Sequence, residues 1–160
     1  ILYEEAEAAK PSAGVMAALH RPELRAIIVC PSNPFLSVDP ILAVPGNRKA
    51  MQSSAAPVIG ISPIIGGQAV KGPTAKIMAE LSLPSTARAA AEHYDGLLDG
   101  YVVDSADSGV SSEMNIPVMA TKTLMTTIED REILAREVLT FADSFSVGHD
   151  LAGQIEQRDG

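Results

Sequence analysis

The feature that most constrains this chain is a recurring pattern of three parts. A short apolar run is followed by a loop rich in Pro, Gly, Ser and Asn, and the loop by an Ala-rich segment at helical spacing. Four such runs occur, at Arg25–Cys30, Val58–Ser62, Gly100–Asp104 and Pro117–Thr121. Strands apolar on successive residues are buried on both faces, and such strands alternating with helices build a parallel sheet covered on both sides. Helices are predicted at Ser12–His20 with Ser12 as cap, at Asn47–Ser53, at Pro73–Leu81 with Pro in the first turn, and at Ser85–Tyr94. The longest predicted helix is Thr127–Phe145, with Ile128, Ile133, Leu134, Val138, Leu139 and Ala142 as its apolar stripe. Its charges from Glu129 to Glu137 read as a solvated face, with Glu132 and Arg136 as an i,i+4 pair. Asn33–Gly46 reads as a Pro-punctuated connection with a helical turn near Ile41–Val44, and Pro63–Gly72 as a loop. The expected fold class is α/β, a doubly wound, mostly parallel sheet with flanking helices, over residues 1–145. Residues 146–160 lack periodicity and are expected to form a loosely ordered tail.

Charge and composition remove several function classes. Twelve Lys and Arg against twenty Asp and Glu leave a net charge of −8, which opposes the basic face that nucleic-acid binding needs. Six aromatic residues without Trp make a base-stacking platform for single strands equally unsuitable. The longest charge-free stretch, Ala50–Val70, is interrupted by Pro57, Gly60, Pro63, Gly66 and Gly67 and cannot be a continuous membrane helix. The opening residues, Ile-Leu-Tyr-Glu-Glu-Ala-Glu, lack the basic region of a signal peptide and have no initiator Met, so the sequence is expected to be processed or part of something longer. One cysteine, Cys30, excludes an intramolecular disulfide and a multi-cysteine zinc site, and a reducing cytoplasm is the expected setting.

In parallel sheets ligands bind beyond the carboxyl ends of the strands, so the loops after Cys30, Ser62, Asp104 and Thr121 are where chemistry is expected. The first places Ser32, Asn33, Ser37 and Asp39 just past a strand. Their hydroxyl and amide groups suit phosphate oxygens or a sugar, and the same residue types also form turns, with Pro34 fixing one. The two readings stand side by side on this loop alone. The second loop carries Gly66, Gly67, Lys71 and Gly72 ahead of a Pro73 helix start. Glycines let backbone amides approach an anion, and a lysine adds charge, which favours an anion site over a flexible loop with a solvated lysine. The spacing is neither that of a P-loop nor of a dinucleotide fingerprint. Asp104 and Asp107 read as caps of the next segment rather than metal or ribose ligands. His20, His93 and His149 have no paired spacing and read as surface histidines. Cys30 reads as a buried small residue at a strand end rather than a nucleophile.

Longer motifs add a resemblance. Cys30-Pro-Ser-Asn-Pro34, Ser37-Val-Asp-Pro-Ile-Leu-Ala-Val-Pro-Gly46 and Ser62-Pro-Ile-Ile-Gly-Gly-Gln-Ala-Val-Lys-Gly-Pro73 resemble the 2-phospho-L-lactate transferase family of deazaflavin coenzyme F-420 biosynthesis. Tyr94-Asp-Gly-Leu-Leu-Asp-Gly-Tyr-Val-Val-Asp104 and Thr121-Lys-Thr-Leu-Met125 resemble its later segments, so the likeness runs in order from residue 4 to about residue 142. The resemblance implies a Rossmann-like fold and transfer of a phospholactyl or phosphoenolpyruvyl group from a guanosine diphosphate-linked donor to the deazaflavin FO. It also implies release of GMP with the help of Mg²⁺, and a cytoplasmic homodimer at full length. It further implies that Ser32, Asn33, Ser37, Gly66, Gly67, Lys71 and Gly72 hold the donor. Asp39 stands where the family more often has Gly. Family members are about twice this length, with a Gly-rich loop and metal-binding acids in their first half. The chain is therefore expected to be a C-terminal half, inactive alone, whose catalytic and Mg²⁺-binding residues lie outside it. A related family of nucleotide-sugar-binding regulators shares the Ser-x-x-Pro and Pro-Gly pattern of the first loop. The full 62–73 run favours the transferase, and binding of FO rather than a uridine sugar would separate the two.

Overall fold

A computed structural model describes residues 1–70 and 72–156, with side chains described as far as residue 145. The strands are β1 (Ile27–Val29), β2 (Val58–Ile61), β3 (Ile64–Ile65), β4 (Gln68–Ala69), β5 (Gly100–Asp104) and β6 (Val118–Thr121). The helices are α1 (Ala13–Leu19), α2 (Asp39–Leu42), α3 (Asn47–Gln52), α4 (Thr74–Glu80), α5 (Ala87–Glu92) and α6 (Ile128–Glu156). β1, β2, β5 and β6 pair in that order, every pair parallel, with Ile28 beside Ile59, Ile59 beside Gly100 and Tyr101 beside Val118. The parallel α/β sheet flanked by helices expected from the sequence is therefore the architecture observed.

Period-two alternation sorts the strand residues onto two faces. Val29, Val58, Tyr101 and Val103 pack against Ala87 and Ala91 of α5 and the following Tyr94, Leu97 and Leu98. Ile59, Ile61 and Val102 pack against Leu134, Val138 and Ala142 of α6. Alanines on α5 bring the helix close to the sheet, and the two tyrosines fill the remaining depth. The Thr86 hydroxyl accepts from the Ala89 amide at 3.1 Å and starts that helix. A third cluster, Phe35, Ile64, Met78, Ala89 and Ala90, lies under the β3–β4 hairpin.

Local differences from the sequence expectations have identifiable causes. β1 is shorter than Arg25–Cys30 because only Ile27–Val29 find partners on β2. Arg25 instead makes two charge-assisted bonds to Asp143 of α6, at 2.7 and 2.6 Å. Cys30, expected to be buried, is exposed: strand pairing has ended, and its side of the sheet opens into an apolar groove beside Leu134 and Val138. The 63–72 loop contains a hairpin, whose tip is Gly66 and Gly67 at φ +57° and +75°, the left-handed pair that a two-residue turn requires. The helical turn of the first connection lies at Asp39–Leu42, two residues earlier than expected, and follows a π-turn at Pro34–Val38. Ser12 occupies the N-cap position of α1 without a side-chain hydrogen bond. The long helix α6 continues past Phe145 to Glu156, and residues 157–160 lie outside the described residues. Among the described residues Glu132 and Arg136 form no ion pair, and no helix is long and apolar enough to cross a membrane.

Gly60 marks one of two tight points of the core, Gly100 being the other. A Cβ there would stand 2.8 Å from Leu98 Cδ1 and 3.0 Å from Tyr101 Cδ2, two side chains that are themselves buried. Gly60→Ala is expected to cost about 1–3 kcal/mol through overpacking. Gly109→Ala, with nothing within 4 Å, is expected to be close to neutral. Urea denaturation of both variants against wild type checks the contrast.

Candidate ligand cleft at the strand ends

Beyond the carboxyl ends of the strands lies a cavity of about 280 Å³, lined by residues from three of the four loops marked for inspection. The loop after β1 contributes Ser32, Asn33 and Ser37, the turn after β2 contributes Ser62 and Pro63, and the segment after β6 contributes Thr123, Leu124 and Met125. Ile65, Val70 and Thr74 close the remaining side. Among the described residues the lining holds hydroxyls, an amide and apolar surface, and no carboxylate.

Each polar wall is set by local bonding. Asn33 caps the π-turn: its Oδ1 accepts from the Phe35 amide at 2.9 Å and the Leu36 amide at 3.0 Å. Its Nδ2 is buried and has no partner among the described residues, which leaves both of its N–H donors for a ligand. The Ser62 hydroxyl is tied to its own turn, donating to the Ile64 carbonyl at 3.0 Å and accepting from the Ile64 amide at 3.1 Å. Beneath it the fully buried Tyr101 hydroxyl has no partner in hydrogen-bonding geometry, and burial raises its pKa.

The fourth loop acts indirectly. Asp104 at the end of β5 accepts from the Ala106 amide at 3.1 Å and starts the 3-10 segment Ser105–Glu113, the capping role expected of it. Its other oxygen accepts from the Thr123 amide at 2.9 Å and the Thr123 hydroxyl at 3.1 Å, so it fixes the third wall of the cleft. Asp107 reaches across to accept from the Gly66 amide at 2.8 Å. In the first turn of α6 Asp130 gathers Lys122, Thr126 and the Thr127 amide, which hold its pKa far below the usual carboxylate range.

Of the residues proposed from sequence, the structure brings Ser32, Asn33 and Ser37 together in the cleft. Gly66, Gly67 and Gly72 are exposed and do not line it, and the Gly66 amide is already engaged by Asp107. Lys71 lies outside the described residues. Ser62, Thr74 and Thr123 were not singled out, although Ser62 and Thr123 sit directly past strand ends. His93 is not the surface histidine expected. Its side chain is only 23% exposed, with Nε2 placed 2.9 Å from both oxygens of Asp39.

The protein is thus an α/β protein with a cleft at the carboxyl ends of its parallel sheet, the position where ligands bind in such sheets, and the described lining is neutral. Residues 2–145 match the family described as 2-phospho-L-lactate transferase CofD, and the chain belongs to that family. It is 41% identical over 142 residues to a phosphoenolpyruvate transferase of Streptomyces griseus, covering 86% of this chain and 44% of that protein. It is 34% identical over 144 residues to a 2-phospho-L-lactate transferase of Methanococcus maripaludis, covering 90% and 45%. A 2-phospho-L-lactate transferase of Methanocaldococcus jannaschii is 31% identical, with the same coverage of 90% and 45%. The chain thus spans a little under half the length of these curated relatives, and their names do not favour the regulatory reading.

The bonding of Asp104 gives a pH prediction. Burial raises its pKa, but bonds from Ala106, Thr123 and Leu124 outweigh burial and leave it lowered overall. A depressed folded pKa means stability that is present above the unfolded value of about 3.9 and is lost as pH falls through the folded one. Asp104→Ala is expected to destabilise by about 1–3 kcal/mol near neutrality, because Thr123 loses its buried acceptor. The gap to wild type should narrow below about pH 4. Denaturation midpoints at neutral and acid pH test this, and a pH-independent gap would contradict it.

Proposed function

We propose that this chain supplies the nucleotide-holding part of a transferase acting in coenzyme F-420 biosynthesis. The transferred group is phospholactyl or phosphoenolpyruvyl, the donor is linked to guanosine diphosphate, the acceptor is the deazaflavin FO, and GMP leaves. The observation that carries this reading is the buried, unpartnered Nδ2 of Asn33 in the cleft of a CofD-family chain. Phosphoryl chemistry depends on positioning and charge stabilisation more than on covalent help from the protein. Ser32, Asn33 and Ser37 suit the first requirement: neutral donors orient phosphate oxygens and ribose hydroxyls without adding fixed charge. The apolar surface of Ile65, Val70 and Leu124 suits a flat ring.

Charge stabilisation is assigned elsewhere. Lys71 belongs to this reading through its sequence motif, together with Gly66, Gly67 and Gly72. An anion on the Gly66 amide would have to take it from Asp107. Mg²⁺ belongs to the reading as well, but the residues described here do not fit it. Among the described residues the cleft has no carboxylate, and no group of three or more His, Cys, Asp or Glu could hold a metal ion. On this reading its ligands, and the group that accepts the proton of the ribityl hydroxyl, belong to the rest of a family-length protein, and no step is derived through the metal. On this view the 160 residues alone make no product, and the family-length protein works in the cytoplasm as a homodimer.

Titration calorimetry with GDP tests the nucleotide site, and incubation of a family-length protein with donor, FO and Mg²⁺ tests the reaction. GDP binding and a phosphorylated deazaflavin product are expected, and their absence in the family-length protein would sink the reading. Asn33→Asp separates the amide from its turn. It keeps the acceptor for Phe35 and Leu36 but replaces both free N–H donors with a negative oxygen. An unchanged melting temperature and a loss of GDP affinity of about tenfold or more are expected. Unaltered affinity would remove Asn33 from the site.

A further inference from the structure

Outside the cleft, a three-residue clamp grips the loop that forms its first wall. Asp39 receives His93 Nε2 at 2.9 Å and the Tyr3 hydroxyl at 3.1 Å. A carboxylate only accepts, so the imidazole donates from Nε2. The Tyr3 hydroxyl stands between Asp39 and the Phe35 carbonyl, and its pKa is pushed up to about 12, first by burial and then by Asp39. The His93 ring also meets Phe35 edge-on, with centroids 4.6 Å apart, and Tyr94 at 5.8 Å. Phe35 is 3% exposed. Tyr3, Phe35, Asp39 and His93 do not line the cleft, yet Phe35 and Asp39 lie two residues to either side of Ser37.

The segment they hold is one that needs support. In the Pro34–Val38 π-turn the Asn33 carbonyl accepts from both Ser37, at 3.0 Å, and Val38, at 3.3 Å, a geometry that is rare and found mostly at functional sites. Asn33 Oδ1 is oriented by the amides of Phe35 and Leu36. A shift of Phe35 would take those donors away and let the Asn33 side chain rotate, carrying Nδ2 out of place.

We propose that His93 is a positioning residue. Through Asp39 and Phe35 it sets where Asn33 and Ser37 stand, and so sets nucleotide affinity without touching the nucleotide. This rests on the reading that the cleft takes the donor nucleotide, and the test separates the two. His93→Ala removes the donor. His93→Gln restores an N–H near the position of Nε2. In the ligand-free protein, hydrogen exchange at the Phe35–Val38 amides is expected to quicken about tenfold in His93→Ala and to return close to wild type in His93→Gln. GDP affinity is expected to fall and recover in parallel. Unchanged exchange in His93→Ala overturns the proposal. Equal loosening in both variants also overturns it, because His93 would then act by packing rather than through its bond to Asp39. A wild-type protein that binds no GDP refutes the reading of the cleft, while the exchange result still decides the clamp. Should His93→Ala not fold, Tyr3→Phe removes a single hydroxyl from the same anchor. It is expected to quicken the same amides, and no change there overturns the proposal.

Discussion

The pairing of β2 with β5 is the contact on which the rest of the molecule depends. Tyr101, Val102 and Val103 of β5 and Ile59 of β2 are fully buried, and each contributes to one of the two faces that α5 and α6 cover. Burial of such side chains is the main favourable term in folding, worth roughly 1.5–3 kcal/mol for each large apolar residue. The close approach of Leu98 and Tyr101 over Gly60 lets the helical layer sit down on this pair. Because both strands run the same way, their carboxyl ends open on the same side, and every wall of the cleft follows from that direction.

The cleft is built by short local bonds anchored to this frame. Asn33 and Ser62 bond to backbone within three residues, in turns that leave the strand ends. Longer reach comes from carboxylates. Asp104 ties the end of β5 to the segment after β6, Asp107 ties the 3-10 segment to the hairpin tip, and Asp39 ties the first loop to the end of α5. The acids of this region thus act on neighbouring N–H and O–H groups, and none of them is among the described residues that line the cleft. That suits an anionic ligand, which a carboxylate in the lining would repel.

Much of this was legible in the residues. The four apolar runs located the four parallel strands, since a strand buried on both faces must be apolar throughout. The rule that ligands gather at strand ends pointed to Ser32, Asn33 and Ser37, and the capping role of Asp104 followed from its place at the end of β5. The hairpin at Ile64–Ala69 was also written in the chain, as two short runs around Gly66-Gly67, a pattern that a reading for anion-binding glycines passed over. Other features had no local signal. His93 is part of a clamp only because α5 delivers it to Asp39, 54 residues away in sequence. Cys30 is exposed because β1 stops pairing at Val29, and pairing is a property of two strands together.

The sequence by itself determined the fold class and the family, and it pointed to the strand-end loops that line the cleft. These follow from periodicity, loop composition and long ordered motifs, all of which are local. Only the tertiary structure decided which polar groups remain free. The Gly66 amide is spent on Asp107, the Ser62 hydroxyl on its own turn and the Thr123 hydroxyl on Asp104, whereas Asn33 keeps an unpartnered Nδ2. The physical reason is that a hydrogen-bonding group is available to a ligand only when no neighbour within about 3 Å satisfies it first, and neighbours such as Asp107 for Gly66 and Asp104 for Thr123 come from distant parts of the sequence.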